Sequence, residues 1–469
     1  MEGREKKVHR KIGVLDIIET SGGILMSGDS SAFFSGVCID SRKIKRGEVF
    51  FAIKGARFDG HNYVGDAIER GAGGVVISKN VKDLKQGVSV VLVDDTLASL
   101  QNLARYFRNR FTGYVVAITG TAGKTTTKEI TALVLSKKLN IHKNEGNINN
   151  EYGVPLTILG MPDNCEVLVI EVGINHIGEM RVVSDMVKPT VAIATNIGPG
   201  HIGFFGSLEK IAKEKEELFV RLPRDGWAIL NADDTYTSSF STFAQKSTFG
   251  IDNNADIRPD YWEDRGINGV MFSIGGTIFC LPIPGKHNLY NALAAIACGR
   301  VFGIEYSDMT DVLEKVRTVP SRMEIFSSND IVLVNDAYNA NPLSMRSSIS
   351  WFINQSYGRH ILVLGDMLEL GEFSFDEHKE LGKFIAELHK KGSIDLLFTT
   401  GELGKIVSES AIILSDSDIW IRHILKEELA DVLKEVLQDG DGALFKASRL
   451  IALDDVFREL IDRLKAEVV

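Results

Sequence analysis

Short apolar runs alternate with amphipathic segments along most of the chain. Apolar runs rich in Val, Ile and Leu predict buried strands, and segments with apolar residues every three or four positions predict helices. The predicted strands are 48–53, 74–78, 89–93, 114–119, 167–170, 191–195, 228–231, 331–336, 361–366, 395–400 and 443–448. Near-continuous apolar strands separated by helices are typical of mainly parallel sheets covered on both faces. The pattern therefore predicts an α/β protein.

Two breaks in this pattern divide the chain into three predicted domains. The basic, polar stretch 108–113 separates a small α/β domain at 1–108 from a central domain at 109–318. A third domain at 319–469 is joined to the central one near the segment 318–321. It repeats the strand and helix pattern and is predicted to be doubly wound. The length of 469 residues is sufficient for about three domains of ordinary size.

The central domain opens on the pattern of a phosphate-binding loop. The predicted strand 114–119 is followed by Gly120, Thr121, Ala122, Gly123, Lys124, Thr125 and Thr126, and then by a helical pattern. Glycines let backbone N–H groups approach phosphate oxygens, and the helix N-terminus adds partial positive charge. Lys124 would contact the β- and γ-phosphates, and the Thr125 hydroxyl would face Mg²⁺. The usual spacing requires glycine where this chain has Ile118, so the loop is a shorter variant or a chance match. The flanking strand and helix favour the variant.

Composition narrows the function classes. The net charge of −10 argues against a general nucleic-acid binder, although one local loop can still hold phosphate. The four cysteines are far apart and contain no CxxC pair, which argues against a zinc site or a disulfide framework. The sequence contains neither a secretory signal pattern nor an apolar run of membrane-spanning length. We therefore expect a cytoplasmic protein.

Polar residues at predicted strand ends are the first candidates for chemistry. Glu171 and Asn196 each follow a predicted strand, and such ends share one edge of a parallel sheet, so both are expected near Lys124. Glu171 with His201, in a glycine-rich loop, could hold a second Mg²⁺. The residues alone favour a simpler interpretation, a solvated carboxylate and a loop histidine. Lys215 lies in a charged helical segment and, by itself, indicates only a solvated side chain.

Amide-rich segments provide weaker candidates. The stretch 144–155 is dense in Asn and Gly, which suits either turns or peptide and sugar recognition. Asn288 and Asn291 are three residues apart at a predicted helix start, where amides could recognise an adenine edge or simply cap the helix. Arg322 and Asp336 could reach a nucleotide from the third domain.

Nine stretches, in order along the chain, together resemble the Mur ligase family. They are GTAGKTTTKE, GNINNEYGVP, EVGINHIGEM, TNIGPGHIGFFGS, KEKEELF, GKHNLYNALAA, SRMEIF, NDAYNANP and LGDMLELG. The resemblance covers nearly the whole chain. It implies a UDP-precursor-binding domain, an ATP-binding domain and a Rossmann-like C-terminal domain. Within the family, GNINNEYGVP, GINHIGE and DAYNANP are closest to the member that joins D-alanyl-D-alanine to UDP-N-acetylmuramoyl-tripeptide.

The family's motifs, matched residue by residue, imply a role for each candidate. The implied nucleotide-binding residues are Gly120, Thr121, Gly123, Lys124, Thr125, Thr126, Asn288, Asn291, Arg322 and Asp336. The implied metal ligands are Thr125, Glu171, His201 and Lys215, the last as a carbamylated lysine. The implied catalytic residues are Lys124, Lys215 and His201. The implied substrate-binding residues are Asp40, Ser41, Arg42, Asn147, Asn149, Asn150, Tyr338, Asn339 and Asn341.

The resemblance implies an ADP-forming ligase that works through an acyl phosphate, with ATP and two Mg²⁺ ions as cofactors. Its implied substrates are UDP-N-acetylmuramoyl-tripeptide and D-alanyl-D-alanine, in the last cytoplasmic step of peptidoglycan precursor synthesis. We expect a monomer that binds no nucleic acid. Two alternatives remain open at this point. One is another ATP-dependent amide ligase, such as a folate polyglutamate synthetase, and the other is a regulatory nucleotide binder without turnover.

Overall fold

The computed structural model describes residues 11–55, 58–81, 87–146, 148–328, 330–415 and 420–466. Within these residues the strands form three larger sheets of five, six and six strands and two smaller ones. Each larger sheet is the centre of one lobe, and the lobes follow one another along the chain. The α/β class and the three-part organisation predicted from the sequence are confirmed.

The first lobe is a small α/β unit. Its elements are β1 (Ile12–Gly13), α1 (Val14–Ser21), β2 (Ile24–Ser27), β3 (Phe33–Phe34), β4 (Val37–Cys38), β5 (Val49–Phe51), α2 (Val64–Glu69), β6 (Gly74–Ile77), β7 (Ser89–Leu92) and α3 (Thr96–Arg110). The main sheet has the order β2-β7-β6-β5-β4 and is parallel except for β2. Strands β1 and β3 form a separate antiparallel pair.

The second lobe contains the predicted phosphate loop. Its elements are β8 (Tyr114–Thr119), α4 (Lys124–Leu135), β9 (Ile141–Lys143), α5 (Gly153–Leu159), β10 (Val167–Glu171), α6 (Glu179–Val187), β11 (Val191–Ala194), α7 (Ile202–Phe205), α8 (Leu208–Val220), β12 (Trp227–Asn231), β13 (Gln245–Phe249), β14 (Tyr261–Asp264), β15 (Val270–Ile274), β16 (Thr277–Leu281), α9 (Lys286–Val301) and α10 (Tyr306–Leu313). The main sheet, β13-β12-β11-β8-β10-β9, is parallel throughout. The antiparallel sheet β14-β15-β16 lies beside it and was not predicted, because none of its strands is a continuous buried apolar run; β15, for example, alternates buried and partly buried residues.

The third lobe is doubly wound. Its elements are β17 (Glu324–Ser328), β18 (Ile331–Asn335), α11 (Pro342–Phe352), β19 (Arg359–Leu364), α12 (Ser374–Lys390), β20 (Leu396–Thr399), α13 (Gly404–Ser415), β21 (Ile421–His423), α14 (Lys426–Val436), β22 (Asp441–Lys446) and α15 (Leu453–Ala466). The sheet order is β17-β18-β22-β19-β20-β21, and only β17 is antiparallel to its neighbour. Asp366, just after β19, accepts hydrogen bonds from the backbone N–H groups of Leu403 and Gly404 at 3.0 and 2.7 Å.

The lobes share buried apolar surface. One cluster of buried side chains includes Leu103 of the first lobe, Leu168 of the second and Leu362 of the third. Three further clusters are each confined to one lobe and cover the remaining sheet faces. Both faces of the larger sheets are therefore packed, as the apolar runs predicted. Among the helices in the described part of the chain, none combines the length and apolarity needed to cross a bilayer.

The stretch 108–113, predicted as a domain boundary, begins within a helix. Helix α3 continues through it to Arg110, and Arg108 is buried. The Arg108 guanidinium donates to the carbonyl oxygens of Val187 at 2.6 Å, Lys188 at 2.6 Å and Phe111 at 3.1 Å. An arginine that satisfies three carbonyl groups, two of them at the end of helix α6, ties the first lobe to the second.

Replacement of Arg108 by alanine should therefore destabilise the fold. The Arg108→Ala variant leaves three carbonyl groups without their donors, and we expect it to lower the free energy of unfolding by roughly 2–4 kcal/mol. The matched control is Arg110→Ala, because the Arg110 guanidinium is 3.4 Å from the Tyr106 ring centroid and is otherwise exposed. That change should cost less than about 1 kcal/mol. Urea unfolding followed by tryptophan fluorescence measures both, and equal losses would contradict the role of Arg108.

Candidate active site

A large cavity lies where the second and third lobes face each other. Its volume is about 1090 Å³, which suits a nucleotide together with part of a second ligand. The second lobe contributes the phosphate loop, residues that follow β10 and β11, and the start of helix α9. The third lobe contributes residues that follow β18 and β22. The cavity thus lies at the carboxyl ends of parallel strands, where ligands of α/β proteins bind.

The phosphate loop leads directly into helix α4. Gly123 precedes the helix with a left-handed backbone (φ 81°), and the helix begins at Lys124, earlier than the apolar pattern indicated. The Lys124 ammonium group folds back onto its own loop and donates to the carbonyl oxygens of Gly120 at 3.0 Å and Thr121 at 3.2 Å. Burial lowers the pKa of Lys124, Glu171 acts in the opposite direction and Arg322 lowers it further. An anion at this loop would therefore be stabilised by a cation already removed from water.

The Glu171 carboxylate lies beside the phosphate loop and is buried, so the solvated interpretation of this residue is wrong. It accepts a hydrogen bond from the Thr125 hydroxyl at 2.8 Å and another from the Asn149 amide at 2.7 Å. Arg322, from the segment that leads into the third lobe, donates to the Thr125 hydroxyl at 3.0 Å. Arg322 Nε is buried without an acceptor among the described residues, which fits an anionic ligand at this position.

Asn196 shapes the loop from the neighbouring strand end. Its amide accepts from Ala122 N at 2.9 Å and donates to Ala122 O at 3.2 Å. The Thr121 hydroxyl donates to Gly198 O at 3.1 Å, which joins the loop to the glycine-rich segment after β11. The predicted gathering of Glu171 and Asn196 at the edge that carries Lys124 is confirmed.

Lys215 is buried and lines the same cavity, so its interpretation as a solvated helix lysine is also wrong. It has no hydrogen-bond or ion-pair partner among the residues that the structure describes. Burial lowers the pKa of Lys215 well below its ordinary value, and the positive charge of Lys124 lowers it further, against the opposing effect of Glu214 and Glu171. The neutral amine is therefore more accessible to Lys215 than to an exposed lysine.

His201 meets the third lobe across the cavity. It adopts a left-handed backbone (φ 60°) at the start of helix α7. His201 Nδ1 is 2.9 Å from Glu369 Oε2, although the angles are not those of a hydrogen bond. Within the described ranges, no three His, Cys, Asp or Glu side chains are grouped so that they could hold a metal ion. The protein side chains alone therefore form no ready-made multidentate metal site there.

The two asparagines at the start of helix α9 are buried and joined to each other. Asn291 donates to the Asn288 side chain at 3.0 Å and accepts from the Thr127 hydroxyl at 3.1 Å. Asn288 donates to Pro284 O at 2.7 Å. Both line the cavity, and their hydrogen bonds hold helix α9 against helix α4.

The third lobe contributes charged and aromatic side chains. The Arg322 guanidinium is 4.1 Å from the Tyr338 ring centroid, and Arg449 donates to the Tyr338 hydroxyl at 3.0 Å. Asp336 accepts from Lys446 at 2.5 Å and from Ser348 at 2.6 Å. Asp336 therefore reaches the cavity as one half of an ion pair.

Most of the remaining predicted residues lie either in the cavity or in the first lobe. Thr126, Asn150, Asn339 and Asn341 line the cavity, and Asn150 and Asn341 also accept backbone hydrogen bonds at the starts of helices α5 and α11. Asp40, Ser41 and Arg42 lie in the first lobe, outside this cavity, with Arg42 2.9 Å from the Asp40 carboxylate. Asn147 lies outside the described residues.

Sequence reasoning missed Lys446, Arg449 and Glu369, which all line the cavity. Arg449 follows the predicted strand 443–448 and Lys446 lies near its end, so the strand-end rule used for Glu171 could have found them. Glu369 had no such signal, because it lies in an irregular segment after β19 and reaches His201 only through tertiary packing.

Three family descriptions match successive parts of this chain. Residues 34–108 match the Mur ligase family catalytic domain, 118–299 the Mur ligase middle domain, and 321–449 the Mur ligase glutamate ligase domain. The chain belongs to the Mur ligase family.

Named relatives narrow the comparison further. The chain is 37% identical over 430 residues to the UDP-N-acetylmuramoyl-tripeptide–D-alanyl-D-alanine ligase of Bacillus subtilis. The match covers 91% of this chain and 93% of the relative. It superposes on MurF from Acinetobacter baumannii with a TM-score of 0.87 at 27% identity, covering 97% of this chain and all of that one. A MurF ligase from Thermotoga maritima in complex with ADP gives a TM-score of 0.79 at 28% identity, covering 92% and 98%.

The phosphate loop tolerates no side chain at Gly123. A Cβ atom there would lie 2.4 Å from Asn291 Oδ1, in addition to the strain of the left-handed backbone. We expect Gly123→Ala to weaken ADP binding by about tenfold or more, measured by isothermal titration calorimetry, because a distorted loop loses its N–H contacts with phosphate. Gly178→Ala is the matched control. Gly178 also precedes a helix with a left-handed backbone (φ 92°), but open space surrounds its Cβ position. Equal effects of the two substitutions would contradict this account.

Proposed function

We propose that this chain joins D-alanyl-D-alanine to UDP-N-acetylmuramoyl-tripeptide, converts ATP to ADP and phosphate, and thereby completes the pentapeptide precursor of peptidoglycan. The observation that carries the proposal is the single cavity in which the phosphate loop, Glu171 and Lys215 meet Arg322 and Asp336. Relatives that carry this activity in their names match more than nine-tenths of the chain. ATP and UDP-linked precursors are cytoplasmic compounds, so we place the reaction in the cytoplasm.

Each proposed domain has a separate task. Residues 1–108 would bind the UDP part of the precursor through Asp40, Ser41 and Arg42. Residues 109–318 would bind ATP, and residues 319–469 would close over it and hold the dipeptide. The position of the cavity between the second and third lobes supports this division, because a reaction between two bound substrates needs both faces.

The nucleotide would be held mainly by the second lobe. We assign its phosphates to the loop of Gly120, Thr121, Gly123, Lys124, Thr125 and Thr126, and its adenine side to Asn288 and Asn291. Arg322 and Asp336 would complete the site from the third-lobe side. The buried Arg322 Nε without an acceptor and the partly buried Lys124 both favour an anion here.

The donor atoms near the loop suit Mg²⁺. The Thr125 hydroxyl and the Glu171 carboxylate are oxygen donors 2.8 Å apart, and Mg²⁺ prefers oxygen ligands shared with substrate phosphates. Magnesium supplies charge neutralisation between the β- and γ-phosphates. We propose a second ion held by Glu171, His201 and a modified Lys215.

Carbamylation of Lys215 fits its surroundings. The unprotonated amine nitrogen forms a bond to the carbon of CO₂ and loses a proton, which leaves a carbamate anion. Lys215 is buried, has no partner among the described residues and faces the positive charge of Lys124. A carbamate would replace repulsion between two cations by attraction, and its two oxygens would provide the hard ligands that a neutral amine lacks.

The chemistry then depends on positioning and charge. The tripeptide carboxylate attacks the γ-phosphorus of ATP, ADP leaves, and the dipeptide amine displaces phosphate from the acyl phosphate to form the amide. Lys124 offsets the charge of the transferred phosphoryl group. Asn149, Asn150, Tyr338, Asn339 and Asn341 line the cavity where the peptide parts would bind, and we assign Asn147 to the same group. Apposed lobes exclude water from the acyl phosphate.

A substrate panel tests this function. ADP formation should require UDP-N-acetylmuramoyl-tripeptide and D-alanyl-D-alanine together, because the dipeptide amine consumes the acyl phosphate and allows turnover. The measurement is coupled ADP release with each precursor paired with each amino acid or dipeptide. Turnover with a folate and glutamate would support another amide ligase. ADP binding without turnover in any pair would support a regulatory binder.

Lys215 should be essential, whereas its exposed neighbour should not. We expect Lys215→Ala to lower kcat by roughly 100-fold or more, because a side chain that orders the metal and phosphates is lost. Small carboxylates such as formate should restore part of the activity by replacing the carbamate. The matched control is Lys213→Ala, two residues earlier on the exposed face of the same helix, and it should retain full turnover.

Intact-protein mass spectrometry should show added CO₂ on the wild-type chain in bicarbonate buffer, and none on Lys215→Ala. The neutral amine is needed for the modification, so its extent should fall as the pH falls. Unchanged turnover in Lys215→Ala would overturn the carbamate proposal.

A further inference from the structure

The second and third lobes touch at a pair of glycines beside the cavity. Gly203 of helix α7 faces Gly371, and a Cβ atom on Gly203 would lie only 2.4 Å from the Gly371 nitrogen. The backbone N–H of Gly203 donates to the carbonyl oxygen of Glu369 at 3.2 Å. The backbones approach this closely because neither residue has a side chain.

This contact brings the Glu369 side chain against the reaction centre. Glu369 has a left-handed backbone (φ 65°), which is uncommon for a residue other than glycine. The segment before it is held by hydrogen bonds from Met367 N to His378 at 2.9 Å and from Leu368 N to the Ser448 hydroxyl at 2.9 Å. The fold thus sustains a strained residue whose carboxylate lies 2.9 Å from His201 Nδ1.

Glu369 differs from the other carboxylates that line the cavity. Each of the others accepts at least one well-formed hydrogen bond from the protein, and they are Glu171, Asp233, Asp234, Asp264 and Asp336. Glu369 accepts none with its side chain from the described residues, and this side chain is 47% exposed. It is an anion with free acceptor capacity at the edge of a cation-rich cavity.

We propose that Glu369 receives the ammonium group of D-alanyl-D-alanine and is brought into place by the Gly203–Gly371 contact. This inference rests on the proposed function. An α-amino group has an ordinary pKa near 8, so the dipeptide approaches largely protonated. Lys124 and Arg322 repel that charge, and a carboxylate that accepts no well-formed hydrogen bond from the described residues offsets the repulsion. Glu369 belongs to the lobe that we assign to the dipeptide, and it is not part of a three-ligand metal group in the described residues.

The Glu369→Gln variant tests the inference. Loss of a charge-assisted hydrogen bond should raise the KM for D-alanyl-D-alanine by about 10- to 100-fold. The KM values for ATP and for UDP-N-acetylmuramoyl-tripeptide should change by less than about twofold. Inhibition by D-lactyl-D-alanine, in which a hydroxyl replaces the amine, should be unchanged, because that compound presents no ammonium group. The Glu369→Asp variant keeps the charge and should show an intermediate KM for the dipeptide.

Glu372→Gln is the matched control, because Glu372 is an exposed acid three residues away. It should leave all KM values and the inhibition constant as in the wild type. An unchanged dipeptide KM in Glu369→Gln would overturn the proposal. So would a raised requirement for Mg²⁺ or ATP, or an equal loss of D-lactyl-D-alanine inhibition, since these indicate a metal ligand or a distorted site. If the wild type makes no ADP with both substrates present, the proposed function fails instead.

The Gly203→Ala variant tests whether the Gly203–Gly371 contact positions Glu369. The added methyl group would push Gly371 away and should raise the dipeptide KM in the same direction as Glu369→Gln. The affinity for ADP should stay within about twofold, because the phosphate loop is untouched. A dipeptide KM that stays at the wild-type value in this variant would show that the glycine contact does not position Glu369.

Discussion

Positive charge that the protein itself does not neutralise is concentrated between the second and third lobes. Lys215 is buried there, Lys124 is partly buried, and the positive charge of Lys124 lowers the pKa of Lys215. Arg322 adds a buried nitrogen without an acceptor among the described residues. Buried cations are costly unless anions accompany them. Under the proposed function, a triphosphate and a peptide carboxylate would supply those anions, so the substrates would complete an electrostatic arrangement that the chain leaves unfinished.

The same constraint explains why the site is divided between lobes. The phosphate loop and Glu171 belong to the second lobe, whereas Asp336 and Glu369 come from the third. Arg322 hydrogen bonds to Thr125 from the segment between them. A site built in this way is complete only when the lobes are apposed, which is also the arrangement that keeps water from an acyl phosphate.

Local pattern predicted the sheets and the phosphate loop, because strands packed on both faces leave apolar runs and a loop between strand and helix needs glycine. The strand-end rule correctly brought Glu171 and Asn196 to Lys124. Lys215 was beyond local reasoning, since its helix contains many charged residues and only tertiary packing buries one of them. The Asp336–Lys446 pair joins positions 110 residues apart, and Glu369 meets His201 only across the lobes. Such pairings depend on strand order and lobe contact, which hydrophobic periodicity does not encode.

The carboxylate of Asp366 bears on where a nucleotide can be held. In doubly wound folds that bind dinucleotides, phosphate oxygens accept hydrogen bonds from N–H groups at a helix start beside a strand end. In the third lobe the corresponding N–H groups, of Leu403 and Gly404, already donate hydrogen bonds to the Asp366 carboxylate. A phosphate arriving there would meet a negative charge where it needs amide hydrogens. This lobe keeps the architecture of a cofactor-binding fold but uses its own acid as an internal substitute for the cofactor, which leaves the ATP to the lobe before it.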